Sequence, residues 1–194
     1  MRNLYILIVS LLLSQISYAQ NTDTDFYNSD FKWKIQIPKN FEKVNNDEWA
    51  KLQGRGQEVL EKTTGQPVIN QSKTIFVFKS DNFNYLEANY QPFDPKVDGN
   101  YDESNKAVNE VLYKAFKENM PKAKFDTIST KEKINNLVFN KYTIKMTLPN
   151  NMILEFQMYS RLFDKKEFSV NLMFLDPKKG EQMINAWKAS QFGK

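Results

Sequence analysis

The chain contains neither histidine nor cysteine. Their absence removes the side chain that most often moves protons near neutral pH, together with thiolate nucleophiles and disulfides. Chemistry is left to carboxylates, Lys, Ser, Thr and Tyr. Glu155 and Glu167 stand on neighbouring strand-like runs, opposite the main apolar rows. Facing each other across a sheet, they would form the carboxylate pair that glycoside hydrolysis uses. Glu155 has a commoner use beside Lys145 or Lys165, as half of a cross-strand charge pair on a wet face. Asp81, Asp94, Asp98 and Asp102 invite a calcium reading, centred on Asp94-Pro-Lys-Val-Asp-Gly-Asn-Tyr-Asp102. That stretch lacks the alternating oxygen ligands and closing Glu of an EF-hand, and solvated turn chemistry accounts for it. Gly54-Arg-Gly56 lacks the Lys-Ser/Thr pair of a phosphate loop. No catalytic residue, metal site or cofactor is assigned.

Aromatic side chains make better candidates. Tyr90, Phe93 and Tyr101 flank a loop, Gln91-Pro-Phe-Asp-Pro-Lys-Val-Asp-Gly-Asn100, that two prolines constrain. Trp49 and Tyr159 are further aromatics that can contribute to a cleft, and Arg161, at the end of a strand, is suited to an acidic ligand. Aromatics beside a loop hold peptides, sugars or apolar ligands. They also anchor loops to cores, and Arg161 has a surface salt bridge as its alternative. Tyr90, Phe93, Tyr101, Tyr159 and Arg161 are the candidate ligand-binding set.

The elements that must position them are legible from hydrophobic periodicity. Residues 138–174 read as an antiparallel meander of three strands. Tyr142, Ile144, Met146 and Leu148 share a face, as do Met152, Leu154, Phe156 and Met158; Phe168, Val170, Leu172 and Phe174 complete a third apolar row. Phe31, Trp33, Ile35 and Ile37 mark an earlier strand that Pro38 stops. Residues 73–79 and 84–90 form a hairpin, and 125–133 a polar strand near an edge. Residues 47–63 form a helix interrupted by Gly54 and Gly56 and ended by Gly65. The clearest helix is 102–120, capped by Asp102, with Ala107, Val108, Val111, Leu112, Ala115 and Phe116 as its buried stripe. Asp176 and Pro177 start a last helix, and Met183, Ile184 and Trp187 supply its buried side.

A length of 194 residues with 41% hydrophobic content suits one domain, and fifteen Phe, nine Tyr and three Trp can fill its core. The formal net charge of +4 includes no basic block, so nucleic acid is not an expected partner. Residues 1–19 have the pattern of a secretory signal: Arg2, an apolar run from Leu4 to Leu13, then Ser17-Tyr18-Ala19. The run is short for a bilayer span, so no transmembrane segment is expected in the mature chain. Residues 20–30 read as a flexible polar segment, and 31–194 as a single domain. The expected location is secreted or periplasmic, in a bacterium.

The order of elements resembles the Mog1/PsbP-like alpha/beta/alpha sandwich proteins, particularly small secreted bacterial members of unknown function. The resemblance is carried by Ile35-Gln-Ile-Pro38 with Phe41 just beyond, then the strand hairpin, the central helix at 102–120 and the long meander. It ends at Asn185-Ala-Trp-Lys-Ala-Ser-Gln-Phe192. It implies an α+β fold, with helices packed on an antiparallel β-sheet in a three-layer alpha/beta/alpha sandwich. The second helical layer would come from 177–190. It also implies binding or accessory work rather than catalysis, with an unknown protein, peptide or small ligand of the cell envelope as partner. A hydrolase using surface carboxylates and a self-associating structural envelope protein are the alternatives.

Overall fold

The computed structural model describes residues 25–67 and 69–193; the proposed signal at 1–19 lies outside them. Alternating patterns broken by Asn, Asp and Gly turns give ten strands among the described residues. They are β1 (Asp25–Asn28), β2 (Trp33–Gln36), β3 (Glu42–Lys43), β4 (Lys73–Asp81), β5 (Asn84–Pro92), β6 (Lys124–Ile134), β7 (Leu137–Thr147), β8 (Ile153–Phe163), β9 (Lys166–Phe174) and β10 (Gln191–Phe192). The helices are α1 (Asn46–Thr64), α2 (Pro95–Asp98), α3 (Tyr101–Asn119) and α4 (Pro177–Lys188).

A seven-stranded antiparallel sheet runs β3-β4-β5-β9-β8-β7-β6. The chain enters it at one edge, leaves after β5, and builds β6 to β9 back from the opposite edge until β9 pairs with β5. Asn135 and Asn136 both take positive φ, 44° and 68°, in the two-residue connection from β6 to β7. Asn tolerates that conformation, which suits the twist of a tight hairpin. On one face of the sheet lie α1 and α3. Tyr142, Ile144, Met146, Leu154, Phe156 and Met158 are buried there, against Leu112, Phe116 and Met120 of α3. On the other face a small sheet, β1-β2-β10, joins α4. Trp33, Ile35, Phe76, Phe139, Phe168, Met183 and Trp187 form the core of that layer. The molecule is therefore an α+β fold of helices on antiparallel sheet, in three layers.

Several expectations need correction. The third meander row does not join the first two: Phe156 pairs with Met173, so Phe168, Val170, Leu172 and Phe174 point to the opposite layer. A two-residue connection at Asp164-Lys165 sets that register, and a one-residue shift reverses every side chain of a strand. The far layer is not helical alone, because the strand around Trp33 forms its own sheet there beside α4. Residues 25–28, taken as part of a flexible segment, pair with β2 as β1. The cap of α3 is Asn100, whose side chain accepts from the Asp102 and Glu103 backbone N–H groups, and not Asp102. The loop at 91–100 also contains the short α2, with Asp94 as its cap.

The proposed carboxylate pair is absent. Glu155 lies opposite Phe174 and Glu167 opposite Leu162, at different ends of the β8–β9 ladder. Glu155 instead faces Lys145, 3.5 Å away. Asp81 bonds Lys179 at 2.7 Å, and Asp98 accepts the Asp94 backbone N–H, so these acids serve local structure. Among the described residues no group of three or more Asp or Glu is placed to hold a metal ion. None of the described helices is long and apolar enough to cross a membrane.

Candidate functional site

The layer between α3 and the sheet is not uniformly apolar. Toward the N-terminus of α3 the buried positions are Asn105 and Asn109, while Val108 is 39% exposed. They face a strip of polar side chains on the central strands. Asn105 Nδ2 donates to Ser160 Oγ of β8 at 2.6 Å, and both residues are buried. Farther along, Glu87 of β5 accepts from Asn89 Nδ2 at 3.0 Å and from Asn171 Nδ2 at 3.1 Å. Burial raises the Glu87 pKa, against the opposing effect of those two amides. The Oδ1 atoms of Asn109 and Asn171 are sealed from solvent without a hydrogen-bond partner. Buried polar atoms without partners are uncommon in folded proteins and call for an explanation.

The strip leads to the start of α3, where a cleft of about 250 Å³ opens. Its walls are Tyr101 and Asp102 of α3, Lys131 of β6, Val138 and Asn140 of β7, and Ser160, Arg161 and Leu162 of β8. Each wall residue is fixed by its element. Asn100 caps α3 and so places Tyr101 and Asp102 at the rim. Lys131 and Asn140 are direct partners across β6 and β7, and Asn140 pairs in turn with Ser160. Phe93 backs Tyr101 in an edge-to-face contact, with ring centroids 5.4 Å apart. Arg161 Nη1 donates to the Val138 carbonyl at 2.7 Å, and its guanidinium lies over the Phe163 ring.

The electrostatics of this cleft are unusual for the molecule. Lys131, Arg161 and Asp102 all line it, yet none makes an ion pair with another described residue or with either of the others. Elsewhere even an exposed pair such as Lys34–Asp25 closes to 2.9 Å. Asp102 receives one long hydrogen bond, from Asn140 Nδ2 at 3.4 Å. Two polar atoms are sealed from solvent here: Arg161 Nε, which has no partner, and the Tyr101 hydroxyl, which lies beside Ser160 and Glu167. Burial raises the Tyr101 pKa; Ser160 opposes the shift, and the charges of Glu167 and Asp102 add to it, so the phenol stays protonated.

The structure brings together part of the aromatic set. Tyr101 and Arg161 line the cleft and Phe93 supports it from behind. Tyr90 and Tyr159 belong to the other layer. Tyr90 packs on Phe31 and under the Lys166 ammonium. Tyr159 is fully buried, against Trp187 and bonded through its hydroxyl to Gln157. Tyr90 leaves the set because β5 gives the cleft no wall residue, and Tyr159 because its ring is held in the aromatic layer against Trp187. Lys131, Asn140 and Ser160 were missed. No local pattern marks them; the sequence does mark Asn105 and Asn109, which stand at three- and four-residue spacing with Leu112 and Phe116 and so belong to the buried face of the helix above.

A larger cleft of about 330 Å³ opens between α1, β3 and β4, lined by Lys43, Val44, Trp49, Gln53 and Thr74 to Val77. Its Gln53 and Thr74 side chains bond each other, and Lys43 is its one charged wall residue. It offers less to select a ligand than the cleft beside Tyr101.

Neither a protein-family model nor a curated protein matches the chain. Among solved structures, that of cyanobacterial PsbP (CyanoP) from Synechocystis sp. PCC 6803, determined in solution, is similar to it. The TM-score is 0.55 at 7% sequence identity, over 87% of this chain and 91% of that one. At that identity the likeness concerns the fold: this chain folds as a PsbP-like three-layer sandwich over most of its length.

Proposed function

We propose that this is a secreted or periplasmic bacterial protein, non-catalytic, that binds a ligand in the cleft at the start of α3. It then serves as a binding or accessory component of the cell envelope. The observation that carries the reading is the set of three charged residues, Asp102, Lys131 and Arg161, that line one cleft without forming ion pairs among the described residues. Such groups cost stability in an empty site and gain partners when a ligand enters. The aliphatic hydroxyl there, Ser160, accepts from the Asn105 amide, which is not a base that activates it. The amino-terminal pattern at 1–19 supports export.

The test is thermal denaturation of the full-length product purified from its host, against panels of small anions, sugars, amino acids and short peptides. A ligand should raise the midpoint of wild type and lose that effect with Arg161→Gln. A panel without any Arg161-dependent shift would overturn the cleft. Mass spectrometry of the same preparation should show a chain starting at Gln20 or Asn21; an intact start at Met1 would contradict export.

A further inference from the structure

The three charges of the cleft define what it accepts. Two are positive, Lys131 and Arg161, and one is negative, Asp102. A simple anion would gain the two cations but bring a second negative charge beside Asp102. A simple cation would gain Asp102 and meet Lys131 and Arg161. Like charges sharing a small cleft repel, and unlike charges attract more strongly there than in bulk water. A ligand with both signs on one small frame answers all three groups. Building on the reading of this cleft as a ligand seat, we infer that its ligand is a small zwitterion, a free α-amino acid.

The remaining walls agree in kind and in size. The carboxylate of an amino acid would take Arg161 and Lys131. A guanidinium suits this role because its fork of N–H groups matches a carboxylate. The ammonium would take Asp102, which has only the long contact from Asn140, and the side-chain oxygen of Asn140. Val138 and Leu162 offer apolar contact to a ligand side chain, and Val138 is 47% exposed. The cleft, about 250 Å³, falls below the range of about 300–1,000 Å³ that encloses drug-sized molecules. A free amino acid is therefore a better match in size than a folded partner or an oligosaccharide.

Isothermal titration of the full chain with a panel of free L-amino acids tests this. The best binder is then compared with its N-acetyl form, which lacks the ammonium, and its amide, which lacks the carboxylate. Both blocked forms should bind about tenfold or more weakly, as expected when a charged hydrogen-bonding group is lost. Arg161→Gln should weaken the free amino acid by a similar factor. Asp102→Asn should weaken it too, and narrow the gap to the N-acetyl form; circular dichroism would verify that both variants keep the wild-type fold. Blocked forms that bind as tightly as the free amino acid would overturn the zwitterion while leaving the cleft a ligand seat. A panel without a binder would do the same if another compound class still shows Arg161-dependent stabilisation. Amino-acid binding unchanged by Arg161→Gln would place that site elsewhere and overturn the inference.

Discussion

Ser160 is nearly inaccessible, at 1% exposure, and its hydroxyl is tied to Asn105 from the helix above. Removing it leaves a buried amide donor unmatched. Ser160→Ala should cost about 1–3 kcal/mol in chemical denaturation. Removing both groups, with Asn105→Leu added, should recover part of that loss; a double variant as destabilised as the sum of its parts would contradict the pairing. Glu87 gives a pH-dependent counterpart. Unfolded, its carboxyl ionises near the usual 4.5, whereas in the fold burial keeps it protonated to higher pH despite the Asn171 and Asn89 amides. Its contribution to stability is fully present below the unfolded value and is lost as pH rises through the folded one. Glu87→Gln removes the titration, so the variant should gain on wild type in urea denaturation as pH rises from about 4 to about 8. A difference independent of pH would contradict a raised pKa. Ser160 continues the apolar row of Leu154, Phe156 and Met158, whereas Glu87 shares its face of β5 with Tyr85, Asn89 and Gln91, so the burial of Glu87 becomes visible only with the register known.

At the scale of elements, close packing and open space can be separated by glycine. Gly180, in the first turns of α4, is buried against the Phe174 ring, and a Cβ there would overlap ring carbons. Gly180→Ala should therefore destabilise by about 1–3 kcal/mol through overpacking. Gly54 in α1 has nothing within 4 Å of the position its Cβ would take. Gly54→Ala should instead stabilise by about 0.5–1 kcal/mol, from helix propensity alone. Thermal or chemical denaturation of both variants checks the contrast, and equal effects would argue against the packing of α4 on β9. Element limits were largely legible, because Asn, Gly and Pro punctuate the chain: Gly65 ends α1 in a left-handed conformation, and Asp176 with Pro177 opens α4. What periodicity could not supply was register. The β9 row has the same alternation as those of β7 and β8, and only the length of the turn at Asp164-Lys165 sends it to the other layer. The buried side of α3 was misread for a related reason. Hydrophobicity favoured Ala107 and Val108, whereas the helix buries Asn105 and Asn109 over a polar strip.

For the whole molecule, the two layers do different work. The layer with Trp33, Phe168 and Trp187 is a dense aromatic core joined by β1, β2, β10 and α4. The layer beneath α3 is apolar at one end, around Phe116 and Phe156, and polar at the other, where the cleft opens. That division lets the aromatic layer carry stability while the α3 layer gives up packing for unmatched polar groups. Part of the candidate site is visible in the sequence: Tyr101, Arg161 and the supporting Phe93 stand out by residue type and by their place at a loop or strand end. Lys131, Asn140 and Ser160 do not, since they join the site only through the β6–β7–β8 ladder, across gaps in sequence that no local pattern spans. Nuclear magnetic resonance mapping of backbone amides during titration with the best binder tests the proposed ligand seat most directly. The largest shifts are expected at Tyr101, Asp102, Lys131, Asn140, Ser160 and Arg161. Shifts centred instead on Trp49 and Thr74, or spread without a centre, would contradict binding in the cleft beside Tyr101.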